Sequence, residues 1–407
     1  MMLNYIRRSL EPVLANAARE FPAVVLTGPR QSGKTTLLRE IFATEFRYAS
    51  LDLPDVQNFA SEDPRGFLHS YPTPLILDEI QYAPDLLPYI RDNIDRNRTL
   101  AGQYILSGSQ NILLSERVTE SLAGRAAVLR LLPLSRREID GSPLLPFAWE
   151  GNASESIQPQ QNHLELWNGF LRGGYPELAS QPERDVQAWH SSYIQTYLER
   201  DVRTLRQVGD LTQFQNFLRL LAARNAQLLN LTEISRDLGL AVNSIKAWLS
   251  VLEASYQITI LRPYFANVGK RLAKTPKVYF SDVGTLCFLT GLREPEHAFA
   301  GPMGGAILET AVLAELMRTI THRGTNPLVY FWRTTAGTEV DFIVDSGKYL
   351  VPIEVKLSAT PRRAMVSSIK KFQRDLPIRT SNGYLVHPGE ARLSLGDEIT
   401  ALPYSQL

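Results

Sequence analysis

The chain runs from an apolar stretch, Ala23-Val24-Val25-Leu26-Thr27, straight into Gly28-Pro29-Arg30-Gln31-Ser32-Gly33-Lys34-Thr35, the complete G-x-x-x-x-G-K-[ST] phosphate loop. Gly28 and Gly33 let the backbone turn inward so that successive N–H groups face an anion, and the following helix adds the positive end of its dipole. Lys34 is then placed to reach β- and γ-phosphates, and Thr35 offers a hydroxyl to Mg²⁺. A glycine turn before an amphipathic helix would give part of the same pattern. Context decides: Pro22 and the apolar run read as a strand, and Leu37, Leu38, Ile41 and Phe42 recur at helical spacing. Gly28, Pro29, Arg30, Gln31, Ser32, Gly33, Lys34, Thr35 and Thr36 form the candidate cradle for a nucleoside triphosphate.

A second motif supports the first. Pro74-Leu75-Ile76-Leu77-Asp78-Glu79-Ile80 is an apolar strand closed by two carboxylates, the Walker B pattern. Asp78 is expected to hold the magnesium shell, and Glu79 to orient and deprotonate an attacking water. An acidic pair at a strand end is often only solvated; downstream of a phosphate loop it points to hydrolysis.

With 407 residues the chain has room for two or three domains. A formal net charge of +1 carries no message about nucleic acid, so any such signal must be local. The single cysteine, Cys287, lies in the apolar run Val283 to Leu289, which predicts a buried free thiol and no disulfide within the chain. A reducing cytoplasm is the expected home. No apolar segment approaches the ~20 residues that span a bilayer, so no membrane partner is expected. The opening MMLNYIRRSLEP lacks the apolar core of a secretion signal. The six histidines are scattered, and no structural zinc is expected.

Strand patterns at Phe46 to Leu53, Leu75 to Asp78, Gln103 to Ser109 and Ala126 to Leu134 alternate with helical ones, for example Leu86, Leu87, Ile90 and Ile94, then Ile112, Leu113, Val118 and Leu122. Alternation predicts an α/β domain with a parallel sheet covered on both faces, over residues 1–140, with ligand beyond the carboxyl ends of the strands. Residues 141–162, GSPLLPFAWEGNASESIQPQQN, lose periodicity and read as a linker or insertion. Residues 163–282 are helix-rich. They are broken at Arg172-Gly173-Gly174-Tyr175-Pro176-Glu177 and contain Leu231 to Leu240 followed by Val242 to Leu249. A short helix closed by glycine, a tight turn and a second helix suggest a helix-turn-helix, with Ile258 to Leu261 as a wing. Residues 283–407 form the remaining domain.

These segments carry a family likeness. The phosphate loop, LILDEI, YILSGSQ and SLAGRAAVLRLLPLS together resemble the AAA-plus ATPases, in particular a prokaryotic group that joins such a domain to a C-terminal domain of unknown function. LRGGYPE, KVYFSDVGTL, FWRTTAGTEVDFIV and PIEVKLS resemble that group's recurring segments, so the likeness covers nearly the whole chain apart from 141–162. It implies an ATP- and Mg²⁺-dependent ATPase. Ser107 or Ser109 stands at the position of the sensor for γ-phosphate or attacking water, although serine at a strand end is equally a turn residue. Arg125 matches an arginine finger, which would act on a neighbouring copy and imply a homo-oligomer; the plainer alternative is a surface arginine after a helix cap. Arg172 is a candidate second sensor.

In the C-terminal third a helix over Gly304 to Ile320 precedes strands at Leu328 to Arg333, Glu339 to Val344 and Tyr349 to Leu357, a helix near Val366 to Phe372, and a strand at Tyr384 to Val386. This order resembles the PD-(D/E)xK restriction-endonuclease-like core. Strand alternation puts Glu354 and Lys356 on one face, where a hairpin partner brings Asp341 beside them. Glu309, Asp341 and Glu354 are therefore candidate Mg²⁺ ligands, with Lys356 to position water. The same residues are compatible with a cross-strand salt bridge or with a nuclease fold that no longer cuts. Glu339 and Arg333 either belong to this site or flank it.

Between Ser255 and Ser281 lie Arg262, Lys270, Arg271, Lys274 and Lys277, interleaved with Tyr264, Phe265 and Tyr279 and free of acidic residues. That makes DNA a candidate partner through phosphate contacts. The expected function is an ATP-hydrolysing AAA-plus protein acting on DNA. The alternative is a regulatory or signalling ATPase whose C-terminal domain binds protein. A small-molecule kinase would share the phosphate loop but leaves Arg125 and the C-terminal half unexplained.

Overall fold

The computed structural model describes residues 5–109, 120–151, 162–197, 211–265, 274–376, 380–396 and 398–407. The first module is α/β. Helix α1 (Glu11–Glu20) precedes β1 (Ala23–Thr27), α2 (Lys34–Phe42), β2 (Arg47–Ser50), α3 (Pro54–Glu62), α4 (Pro64–Ser70), β3 (Leu75–Asp78), α5 (Leu87–Arg96), β4 (Tyr104–Gly108) and β5 (Ala126–Arg130). The five strands are parallel in the order β2-β3-β4-β1-β5. Every residue of β1, β3 and β4 is buried, as a parallel sheet covered on both faces requires. The strands expected at Phe46 to Leu53 and Ala126 to Leu134 are shorter than their apolar patterns. The expected helix around Ile112 to Val118 lies outside the described residues.

A four-residue helix, α6 (Arg136–Ile139), ends the module and is opened by a capping box between Ser135 and Glu138. The helical module then brings α7 (His163–Arg172), α8 (Pro176–Ser180), α9 (Val186–Tyr197), α10 (Leu211–Ala223), α11 (Leu231–Leu238) and α12 (Val242–Ala254). Asn230 caps α11 by accepting from Thr232 and Glu233 N–H, and Gly239 closes it in a left-handed conformation. Strand β6 (Ile258–Leu261) pairs antiparallel with β7 (Lys277–Phe280). One expectation for this stretch is corrected. Lys277, Tyr264 and Tyr279 are buried and do not belong to a surface basic patch. Lys277 is drawn inward by Glu309 and Glu339, and Tyr264 and Tyr279 pack in the core. Lys274 is exposed, and Lys270 and Arg271 lie outside the described residues.

The last part holds α13 (Val283–Leu289), α14 (Pro295–Ala300), α15 (Gly304–His322), β8 (Val329–Arg333), β9 (Glu339–Asp345), β10 (Leu350–Val355), α16 (Ser367–Asp375), β11 (Gly383–His387), β12 (Leu393–Ser394) and β13 (Ile399–Pro403). The sheet order is β12-β13-β11-β10-β9-β8, antiparallel through β8, β9 and β10 and parallel from β10 to β11 and β13. The expected order of helix, three strands, helix and strand is present; β12 and β13 extend the sheet beyond it. One apolar core runs from Phe147 and Trp167 through Trp248 and Leu286 to Val386 and Leu407, so the helical and C-terminal parts share an interior.

The LRGGYPE segment has a structural role. Asp282 accepts from Gly174 N at 2.7 Å and from Thr285 N at 2.9 Å, and pairs with Arg318 at 3.0 Å. Gly174 in turn accepts from Leu134 N at 2.7 Å. A Cβ on Gly174 would lie 2.3 Å from Arg318 Nη1 and 2.6 Å from Leu134 O. Gly174→Ala is expected to destabilise the protein by ~1–3 kcal/mol through overpacking and the loss of these bonds, seen as a lower denaturant midpoint. Gly169→Ala, whose Cβ would meet nothing within 4 Å, should leave the midpoint nearly unchanged or raise it.

Candidate nucleotide-binding site

The loop leaves β1 at its carboxyl end because a side chain cannot follow there. Gly28 has φ +154°, and a Cβ on it would sit 2.0 Å from Leu131 O, the residue just past the neighbouring edge strand. The loop folds over the amino end of α2 with Gly33 left-handed as its cap, the arrangement that presents N–H groups and dipole to an anion. Lys34 is buried, and its ammonium donates to Gly28 O at 3.1 Å and Pro29 O at 2.9 Å.

Sheet order supplies the acidic side of the site. Strand β4 lies between β1 and β3, so Ser107 stands between the loop and the carboxylate pair. Thr35 Oγ1 donates to Asp78 Oδ2 at 2.7 Å, Tyr48 OH donates to the same oxygen at 2.7 Å, and Ser107 bonds Oδ1. Burial, then the bond to Asp78, raises the Tyr48 pKa and keeps the phenol a donor. Glu79 takes a left-handed conformation, φ 57°, which turns its side chain off the strand to the Gln81 amide and to Ser109 Oγ at 3.3 Å. The two expected sensor serines thus divide their work: Ser107 holds Asp78 and Ser109 holds Glu79.

A cleft of about 310 Å³ opens beside the loop, lined among others by Tyr5, Ile6, Arg8, Lys34, Pro176 and Glu177. Glu177 is fixed by Trp189 Nε1 at 2.9 Å and Arg184 at 2.7 Å. No motif marked Tyr48, Gln81 or Arg8, because each reaches the site from another element, and the LRGGYPE segment that contains Glu177 gave it no role here. Arg172, the candidate second sensor, instead donates to Leu178 O and Gln181 O at 2.9 and 2.7 Å, where it ties α8 in place. Arg125 precedes β5, at the opposite end of the sheet from the loop, and grips Asp95 at 2.7 and 3.0 Å.

The C-terminal candidates form a second polar cluster. Asp341 accepts from Val355 N at 2.8 Å, Lys356 pairs with Glu354 at 2.5 Å, and Ser368 donates to Glu354 at 2.8 Å. Glu309 bonds Tyr279 OH and pairs with Lys277 at 3.2 Å, while Lys277 also meets Glu339 at 2.5 Å. Arg333 meets Glu339 at the rim, at 3.3 Å. Among the described residues, no group of three or more His, Cys, Asp or Glu is arranged to hold a metal ion. In this cluster Glu309 pairs with Lys277 and Glu354 with Lys356.

The chain matches an AAA domain over residues 20–140 and two domains of unknown function, DUF8612 over 164–296 and DUF4143 over 304–407. Fold, loop and match together define a P-loop protein with an AAA-type ATPase domain. The chain is 32% identical to the uncharacterized protein Rv2008c of Mycobacterium tuberculosis, over 98% of its own length and 84% of that protein's. It belongs to the same family. It is also similar to the uncharacterized protein MJ1544 of Methanocaldococcus jannaschii, at 23% identity over 88% of this chain and 80% of that one. Among solved structures, the Walker-type ATPase PABY2304 of Pyrococcus abyssi aligns with 70% of this chain and 96% of its own at 17% identity and a TM-score of 0.48.

Burial, then the charge of Asp341, raises the pKa of Glu309 to about 7 and of Glu354 to about 8. A carboxyl that binds its proton more tightly when folded stabilises the protein below its unfolded pKa, near 4.5, and loses that contribution as pH rises through the folded value. The contribution of this pair to stability is therefore expected to fall between about pH 5 and pH 8, against the opposite trend of the buried histidines, whose pKa burial lowers. Glu354→Gln should flatten the slope, as followed by denaturant titration across that range.

Proposed function

We propose that this protein is a Mg²⁺-dependent ATPase whose nucleotide state sets the posture of the helical and C-terminal parts, and that the C-terminal sheet is a docking platform rather than a cutting site. The observation that carries the first half is Thr35 within 2.7 Å of Asp78, a hydroxyl and a carboxylate side by side at the end of an amide cradle. Hard oxygen donors of this kind fit Mg²⁺ with phosphate oxygens completing its shell. A Mg²⁺ held there would neutralise phosphate charge. Lys34 would leave the loop carbonyls for the β- and γ-phosphates. Glu79, turned off its strand and steadied by Gln81 and Ser109, would orient and deprotonate water, and Arg125 of a neighbouring copy would complete the charge clamp.

The second half follows from Lys277, whose buried ammonium lies against Glu309 and Glu339. A cation supplied by the protein offsets the negative charge that a nuclease would use to gather metal. The arrangement of Asp341, Glu354 and Lys356 on neighbouring strands still supports a restriction-endonuclease-like ancestry for the sheet. A DNA role finds support in α11, its tight turn and α12, followed by the β6–β7 hairpin, the layout of a winged helix. The outer face of α12 bears Asn243, Lys246, Ser250 and Glu253, however, a nearly neutral set where a phosphate-binding face would be basic.

Lys34→Ala is expected to weaken nucleotide binding, whereas Glu79→Gln should bind ATP normally and lose at least ~100-fold in turnover. Phosphate release and titration calorimetry check both, and normal turnover by Glu79→Gln would remove Glu79 from the mechanism. With Mg²⁺ or Mn²⁺ the wild type is expected to leave linear DNA intact and to show no salt-sensitive DNA affinity. Cleavage abolished by Asp341→Ala or Lys356→Ala would replace the platform with an active nuclease.

A further inference from the structure

Arg8 is buried and belongs to no motif. Its Nη1 donates to Ser32 O in the phosphate loop at 2.9 Å, and its Nη2 donates to Leu132 O at 2.6 Å. Its Nε lies 3.3 Å from Glu138 Oε1. That carboxylate also accepts from Ser9 N at 2.8 Å and meets His322 Nδ1 at 3.0 Å. His322 is in the last turn of α15, and its Nε2 accepts from Leu132 N at 3.0 Å. Because an N–H can only be accepted by a bare ring nitrogen, the proton must sit on Nδ1 and be donated to Glu138. Burial lowers the His322 pKa and holds the ring in this neutral form. Arg8, Glu138 and His322 are each at least 96% buried.

The bond to Ser32 O bears on nucleotide chemistry through the geometry of one peptide unit. The Ser32 carbonyl and the Gly33 N–H belong to the same plane and point in opposite directions. Holding the carbonyl toward Arg8 fixes the plane of this peptide unit and with it the direction of the Gly33 N–H. A carbonyl that swung inward would present a negative dipole to phosphate. The fork bonds two carbonyls while its charge stays against a carboxylate, which a planar guanidinium can do and a single ammonium cannot.

We propose that Arg8 is a positioning residue for the phosphate loop and that, through Glu138 and His322, helix α15 of the C-terminal part sets the loop's affinity for nucleotide. This rests on the nucleotide-binding reading above and adds to it a route by which whatever seats on the C-terminal part changes nucleotide affinity. Coupling of this kind is reciprocal, so nucleotide must also steady the end of α15.

The test uses the full chain and the fluorescent probe mant-ADP with Mg²⁺. Wild type should bind the probe, and saturation should slow amide exchange at residues 131–138 and in the last turn of α15. His322→Ala and Arg8→Lys should each weaken binding by about tenfold, the effect of losing one charge-assisted or buried hydrogen bond. His322→Gln, whose amide can both accept from Leu132 N and donate to Glu138, should recover most of the affinity. A purely structural role predicts lower stability with unchanged affinity of the folded protein. No probe binding by wild type would overturn the nucleotide reading and this inference with it. Binding by wild type with no exchange change in α15, or folded His322→Ala with wild-type affinity, would overturn this inference alone.

Discussion

The assembly depends on a buried polar seam where the end of the first module meets α15. Arg137 pairs with Glu315 at 2.9 Å, Arg318 donates to Leu134 O at 2.9 Å and pairs with Asp282, and Glu138 meets His322. Arg136 N donates to Glu315 Oε2 at 2.7 Å. Each of these charges would be costly to bury alone, and several kcal/mol are at stake whenever one partner is removed. Apolar contacts would glue the modules in many registers. Ion pairs with backbone bonds at fixed angles tolerate one, so the seam specifies geometry more than it adds stability.

That geometry explains why the Gly-Gly segment and Asp282 occur far apart in sequence yet act together. Asp282 caps α13, accepts from Gly174 and pairs with Arg318, so one carboxylate fastens the helical part, α13 and α15. Burial pushes its pKa up, but Arg318, His190 and the N–H donors together outweigh that and leave the pKa lowered. The Gly174 carbonyl then reaches Leu134, four residues beyond the last residue of β5. Helix α15 is thus joined to the first module through Glu315, Arg318 and His322 directly and through Asp282 and Gly174 indirectly.

Much of the phosphate module was legible in the sequence because parallel βα units write their period directly: apolar runs for strands, a glycine loop at the switch, carboxylates at a strand end. The loop residues and Asp78 with Glu79 lie together for that reason. The order of the C-terminal elements was legible too, up to β11. Strands β12 and β13 escaped notice because β12 has only two exposed residues and β13 alternates weakly within Ile399–Pro403. Lys277 misled for a different reason. A lysine beside aromatic residues looks like a surface patch, and only tertiary structure reveals Glu309 and Glu339, contributed by α15 and β9, as its partners.

Arg8, Tyr48 and His322 were invisible because their roles exist only between elements. Tyr48 sits on β2, three strands from the one that carries the loop, and reaches Asp78 because β3 is its neighbour in register. His322 reads in isolation as a routine residue near a helix end. Its Nε2 bond to Leu132 and its Nδ1 bond to Glu138 leave it no free nitrogen, so it can neither ligate metal nor shuttle protons without first letting go of the seam. Arg8 is held in a comparable way, its two terminal nitrogens bonded to Ser32 O and Leu132 O and its charge against Glu138. Such groups do no chemistry of their own. They fix where neighbouring groups can stand, and through them the conformation of the loop is tied to the end of α15.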